Sequence, residues 1–307
     1  MSILKFTQQF PTNESCKLHF KLERENQGII CKKCSQTEHY WLKSKWQWQC
    51  KNCSFRTTLR SGTIMEHSNL PFITWYLCMA FMSFSKKGLS ALEMQRQLGH
   101  KRYNTIWVLM HKIRTGMGQR DDKYNLSGFI EFDEGHFEHA TNQYVDLKRG
   151  RGSQRQTNVA VMAESTPLEN IETGQKSSHC RYFKMKVAES FKKEELSSKV
   201  VEYIHQDSII FSDKSTSYVD FSEFVDTHIT SKSTKETTKT TLKWVHIAIS
   251  NAKRNLLGVY HMIKPGYLQS YLNEFCYKLN RRYFGFKLFS RLIIATTHSS
   301  ESFLKTK

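Results

Sequence analysis

The stretch at residues 244–283, WVHIAISNAKRNLLGVYHMIKPGYLQSYLNEFCYKLNRRY, decides how the chain is organised. It runs from a strand-like apolar opening through the polar cluster Ser250-Asn251-Ala252-Lys253-Arg254 to a Pro265-Gly266 break and a long amphipathic helix. Basic and carboxamide groups packed beside apolar residues predict a site for an anionic substrate, the bland alternative being a basic surface helix. Two earlier apolar runs sharpen the first reading. FIEFDE and SIIFSD each close on an aspartate, Asp133 and Asp213. Strands are expected at 129–132, 157–162, 180–187 and 208–211, with a helix at 191–205 before the last of them. Three strands, a helix and a further strand predict an α/β domain, a mixed sheet flanked by helices. The turn-rich stretch 164–178 and the Ser/Thr/Lys-rich stretch 227–243 read as insertions, the second with the composition of a flexible loop.

The residue types suit phosphodiester chemistry. Two divalent cations roughly 4 Å apart, held by shared carboxylates, can stabilise both the attacking and the leaving oxygen. Asp133 and Asp213 could share cations if their strands are neighbours. Asn251 is expected to open a helix, where its side-chain oxygen either completes a metal shell or caps that helix. Lys253 and Arg254 would then bind phosphate. Farther on, Glu274, Lys278 and Arg281 are spaced to share one helix face, with Leu268, Tyr271, Leu272, Phe275 and Leu279 opposite. Glu274 is either an ion-pair partner of Lys278 or an alternative acidic ligand.

The N-terminal part carries different signals. Of eight cysteines, four form Cys31-x2-Cys34 and Cys50-x2-Cys53, the spacing of a four-cysteine zinc ribbon. Between the pairs, HYWLKSKWQWQC reads as a hairpin, whose Trp46 and Trp48 pack a core too small to bury much else, contact with DNA being the alternative. Pro71 opens an apolar helix at 72–84. Ser90-Ala91-Leu92-Glu93 has the look of a capping box, Gly99 ends that helix, and another follows at 103–117. Two helices joined by a short turn containing Gly99 predict a helix-turn-helix, in which Lys101, Arg102, Lys112 and Arg114 would contact phosphates. A purely structural hairpin is the competing reading. The polar segment QRDDKYN, at 119–125, marks a domain boundary.

At 307 residues the chain is long enough for two or three domains, and its net charge of +18 asks for a polyanionic partner, most often nucleic acid. No apolar run is long enough to span a bilayer, and the N-terminus lacks a signal-peptide pattern, so a soluble, intracellular protein is expected.

Taken together, the paired CxxC motifs, SGTIMEHSNLPFITW, FDEGHF, FSDKSTSY, HIAISNAKRNLLGVYH and LQSYLNEFCYKLNRRY resemble bacterial insertion-sequence transposases. The likeness is to the zinc-ribbon group related to Merlin elements, and it extends over residues 10–286. The resemblance implies a ribonuclease-H-like DDE-type catalytic domain at 121–307, behind a zinc-ribbon segment at 1–66 and a helical helix-turn-helix domain at 67–120. It implies an Asp-Asp-Asn site of Asp133, Asp213 and Asn251, with Lys253 matching the lysine that follows. Glu274, Lys278 and Arg281 match a Glu-x3-Arg-x2-Arg signature in which Lys278 replaces an arginine. The implied cofactors are two Mg²⁺ or Mn²⁺ ions and one structural Zn²⁺. The implied partners are double-stranded DNA, as element ends and target, and further copies in a homodimer or larger assembly, in the bacterial cytoplasm at the nucleoid. A catalytically inactive DNA-binding regulator and a structure-selective nuclease are the alternatives.

Overall fold

The computed structural model describes residues 2–139, 156–169, 174, 176–232, 234, 236, 240–260 and 263–300. The chain forms two compact units, Met1–Arg120 with Arg281–Lys307, and Asp121–Asn280. In chain order the first contains α1 (Ile3–Gln9), α2 (Asn13–Gln27), β1 (His39–Leu42), β2 (Gln47–Cys50) and β3 (Arg56–Thr58). It continues with α3 (Phe72–Phe84), α4 (Ala91–Leu98) and α5 (Tyr103–Asp122), whose last turn crosses the division. The second contains β4 (Phe129–Glu138), β5 (Gln156–Glu169), β6 (Lys176–Ala188), α6 (Lys193–Tyr203), β7 (Ile209–Asp213), β8 (Thr227–Ser231), α7 (Lys243–Val259) and α8 (Leu268–Asn280). The chain then returns to the first unit through α9 (Leu288–Thr297).

In the first unit β1, β2 and β3 form an antiparallel sheet beside α2. Lys17, Lys21 and Arg24, one turn apart along α2, stand over Trp46, Trp41 and Trp48 at 5.2, 4.8 and 5.7 Å from the ring centroids. Long aliphatic stems thereby cover the indoles while the charged heads meet the ring faces. The expected tryptophan packing is present, Trp48 being buried. Pro71 precedes α3 as expected. Ser90 Oγ accepts the Glu93 amide at 3.1 Å, and Gly99, at φ 60°, ends α4 in the left-handed conformation that glycine tolerates best. The second helix, expected to stop at Met117, runs to Asp122.

The C-terminal helix corrects a boundary. The compact unit that begins at Asp121 ends at Asn280 rather than at 307, because α9 packs on α2 and α3. Phe289 is buried there against Phe6, Phe10, Tyr76 and Phe84, at 5.5 to 6.4 Å between ring centroids.

The second unit is built on a five-stranded mixed sheet in the order β6-β5-β4-β7-β8. β5 runs antiparallel to both neighbours, while β4, β7 and β8 are parallel, which is the ribonuclease-H-like arrangement. Alternate residues serve opposite faces. Val159, Val161 and Ala163 of β5 pack with Val245, Ala248, Ala252 and Leu256 of α7 and Leu268 and Leu272 of α8. Ala160 and Met162 pack on the other side with Leu196 and Val200 of α6 and with Tyr218 and Phe221 of the 3-10 helix Thr216–Glu223.

Four expectations give way here. The strand expected at 129–132 runs on to Glu138, paired with β5 throughout, so Asp133 lies within it rather than at its end. The hairpin of β5 and β6 extends to Glu169 and Lys176, well into the stretch read as a turn-rich insertion. Within the stretch read as flexible, Thr227–Ser231 pairs with β7, its β-branched residues suiting an edge strand. Residues 244–249 are helical rather than strand-like, because Val245, Ala248, Ile249, Ala252 and Leu256 form one buried helical stripe.

Candidate catalytic site and metal centre

Strand register brings the two aspartates together. β4 and β7 pair in parallel as Phe129↔Ile209, Ile130↔Ile210 and Glu131↔Phe211. Continued two residues, that register sets Asp133 beside Asp213, about one strand spacing of 4.8 Å away. Parity then fixes the face. Ile130, Phe132 and Ile210 belong to the core under α6, so Asp133 and Asp213 turn with Phe137 and Phe211 toward α7. Burial raises the Asp133 carboxyl above its ordinary range and the Asp213 charge adds to this, against the Glu134 amide and His246. The Glu134 N–H donates to Asp133 Oδ1 at 2.8 Å. Two carboxylates held at one level repel each other, and a divalent cation shared between them would relieve that repulsion. Their hard oxygen donors fit Mg²⁺ or Mn²⁺.

Helix α7 lies across this face because Glu131, two residues before Asp133, anchors its first turn. Glu131 Oε2 accepts the N–H groups of Trp244 at 2.6 Å and Val245 at 3.1 Å. The helix then presents His246, whose Nε2 is 3.6 Å from Asp133 Oδ2. At 3.6 residues per turn, Lys253 lies two turns beyond His246 on the same flank. Its Nζ stands 5.7 Å from the ring centroid of Phe137 on β4. Neither His246 nor Glu131 was singled out from the sequence. The signal for the first was its place at the head of HIAISN. Glu131 carried no signal, being one more residue of a strand.

Asn251 is placed differently from the expectation. It sits in mid-helix and caps nothing. Two turns beyond Trp244, it shares that residue's flank, and the Trp244 indole donates to Ser178 Oγ of β6 at 2.9 Å, on the side away from β7. Its Oδ1 accepts from Arg254 Nη2 at 2.7 Å. The structure therefore brings His246, on the opposite flank of α7 from Asn251, against Asp133.

Glu274 is also set apart. α8 runs along β6, two strands from β4, and is joined to it by Gln269 and Asn280. Val187 N–H donates to Gln269 Oε1 at 2.8 Å, and Phe183 N–H to Asn280 Oδ1 at 2.7 Å. Glu274 is buried, with Lys278 Nζ 3.6 Å away, which is the ion-pair alternative. Arg281 belongs to the first unit and Arg254 is exposed on α7. Of the expected phosphate contacts, Lys101 and Arg102 are exposed, whereas Lys112 and Arg114 are buried. Lys112 Nζ donates to the Glu66 carbonyl at 2.8 Å, so these two face the protein interior.

The second centre is the cysteine cluster. The two CxxC knuckles repeat one backbone pattern. Cys31 N–H donates to Gln36 O and Ser35 N–H to Cys31 O. Cys50 N–H donates likewise to Phe55 O, and Ser54 N–H to Cys50 O. Ser35 and Ser54, at φ 58° and 55°, turn each knuckle in the left-handed region. The Sγ atoms of Cys31, Cys34, Cys50 and Cys53 lie within 4.8 Å of one another, and the pairs Cys31–Cys53 and Cys34–Cys50 are 3.5 Å apart. Tetrahedral Zn–S bonds of about 2.3 Å need sulfurs about 3.8 Å apart, so the set fits Zn²⁺. Although desolvation works against it, amides from Lys33 and Cys34 and the neighbouring thiols pull the Cys31 thiol down to about 6. Among the described residues this is the one cluster of three or more Cys, His, Asp or Glu side chains close enough to hold a metal. No helix among them is long and apolar enough to cross a membrane.

Residues 125–280 match the family described as the ISXO2-like transposase domain. Among solved structures, the crystal structure of a pre-cleavage Mos1 transpososome is similar at 9% sequence identity, covering 72% of this chain and 78% of that chain with a TM-score of 0.20. No curated protein matches the chain.

Proposed function

The chain belongs to the ISXO2-like transposase family, whose domain spans just over half its length, and on that premise we propose that it cleaves DNA at the ends of its own element and joins the freed 3′-hydroxyl to target DNA. The observation that carries this reading is the register of β4 and β7, which continues to Asp133 and Asp213 on one face, with His246 against Asp133. Mg²⁺ uses one or two carboxylates and completes its octahedron with water and substrate phosphate oxygens, so two aspartates suffice as protein ligands. When bound, a pair of such ions supplies charge neutralisation at the attacking and leaving oxygens. Asp133 and Asp213 would hold them. His246 would orient Asp133, and Lys253 on the same flank would present its ammonium to a substrate phosphate.

The zinc ribbon and the pair α4 and α5 are proposed to bind the terminal inverted repeats, with Lys101 and Arg102 on the phosphates. Joining two element ends requires a dimer or larger assembly. The test is strand transfer by purified protein with Mg²⁺ or Mn²⁺ on a labelled element end. Joined products that vanish with Asp213→Ala support the reading. Binding of the correct end without cleavage or joining in either metal overturns it in favour of a DNA-binding regulator.

A further inference from the structure

The segment that carries the chain back into the first unit, residues 281–291, is a kinked 3-10 helix, Arg282–Lys287, running into the first turn of α9; it reads RRYFGFKLFSR and contains no acidic residue. Tyr283, Phe284 and Phe286 are 66%, 41% and 78% exposed, an unusual concentration of open aromatic surface. Arg282, Lys287 and Arg291 are exposed among them. The rings are not loose ornaments of a tail. Phe289, Leu292 and Ile293 are buried just beyond them and fix the base of the segment. The Arg282 guanidinium stands 4.3 Å from the Tyr283 ring centroid and donates to its hydroxyl at 2.7 Å, while Arg291 lies 5.0 Å from the Phe284 ring. Gly285, at φ 48° and ψ −118°, makes the turn that separates Phe284 from Phe286, in a conformation that side chains rarely adopt.

Exposed rings interleaved with cations match the chemistry of unpaired nucleotides, whose bases offer π-faces and whose phosphates offer charge. A duplex offers its phosphates but not its ring faces, because the bases are already stacked on one another. A protein partner drawn by apolar area alone would not call for three cations and no acid. We propose that this segment binds single-stranded DNA, stacking Tyr283 and Phe286 on the unpaired bases at a frayed or cleaved strand end. The proposal rests on the reading of the chain as a DNA-acting protein, and its test separates the two.

Full-length, zinc-loaded protein is titrated by fluorescence anisotropy, without Mg²⁺ or Mn²⁺, against a labelled blunt duplex of the element end. The same duplex carrying a short unpaired thymidine tail is titrated in parallel. The tailed duplex is expected to bind about tenfold tighter. Tyr283→Ala/Phe286→Ala should abolish that preference and leave blunt-duplex affinity within about twofold, the loss being stacking rather than charge. A 5-iododeoxyuridine in the tail should photo-crosslink wild-type protein at Tyr283 or Phe286, a readout independent of how the variant folds. Equal affinity for the two DNAs overturns the inference, as does a preference that survives in the variant or a crosslink mapping elsewhere. Blunt-duplex binding retained without any tail preference sinks this inference alone. Absence of binding to either DNA removes the DNA-acting reading and the inference with it.

Discussion

Glu131 on β4 accepts the backbone N–H of Trp244 at 2.6 Å, joining residues 113 apart in sequence and holding the first turn of α7 against the strand that carries Asp133. The same oxygen takes the Val245 amide, so one buried carboxylate satisfies two of the donors that a helix start leaves open. Burial pushes the Glu131 carboxyl up to about 7, against the pull of the Val245 and Trp244 amides. A carboxyl raised on folding binds its proton more tightly in the native state than in the unfolded one. Its contribution is therefore greatest below the unfolded value and is lost as pH rises toward 7. Wild-type unfolding free energy should fall by up to ~3 kcal/mol from this group between about pH 4.5 and 7. Glu131→Gln, whose carbonyl still accepts both amides, should remove that part of the slope in denaturant titrations at each pH. An identical slope in the variant would refute the assignment.

The aspartate pair should be visible as a metal site in stability as well as in activity. Mn²⁺ at a hundredfold excess over its dissociation constant should stabilise wild-type protein by ~2.7 kcal/mol, read as a thermal shift. Asp213→Asn should abolish both that shift and strand transfer. It should also bring the Asp133 carboxyl down toward its ordinary range, since the neighbouring charge that helps to raise it is gone.

His246 and Asn251 stand on opposite flanks of α7, and their substitution should separate them. His246→Ala is expected to lower strand transfer at least ~10-fold, within the range for a group acting on a catalytic carboxylate, while Asn251→Ala stays within about threefold. The reverse order would reinstate Asn251 as the third ligand.

Zinc content should be one ion per chain by atomic emission. Chelation should unfold β1, β2 and β3, since structural zinc supplies on the order of 10 kcal/mol of folding free energy in small sites. The emission of Trp41, Trp46 and Trp48, packed under α2, should shift red as it happens. Retention of the native spectrum after complete zinc removal would show that the ribbon stands without its metal.

Basic residues of α5 and of the turn before it should divide by burial. Lys101→Ala and Arg102→Ala should each reduce the salt slope of DNA binding by about one without loss of stability. Arg114→Ala should instead destabilise the fold by ~2–4 kcal/mol, because Arg114 is 1% exposed. Equal salt-slope effects from all three would place Arg114 on the DNA.

Local signals were read correctly where the physics is local. The cysteine spacing, the hairpin between the knuckles, the Pro71 start, the Ser90 cap and the Gly99 stop each depend on a few adjacent residues. Sequence and structure part where two conformations share one composition. The run at 244–249 is too short for its apolar pattern to separate a strand from a buried helix face. Thr227–Ser231 is polar enough to pass for a loop, and only pairing with β7 makes it a strand. The charges of Lys112 and Arg114 promised exposure, but helical phase turns them inward.

By itself the sequence determined the metal-ready cysteine knuckles, the alternation of strands and helices, and an aspartate on each of two strands, Asp213 closing β7 and Asp133 lying within β4. Each is a property of residue type and short spacing. The tertiary structure decided that the two strands are neighbours in register, that α9 belongs with α2 and α3, and that α7 meets Asp133 with His246. Those outcomes depend on pairing, helical phase and a carboxylate capping a helix over a hundred residues away, and no local window of the chain contains both partners.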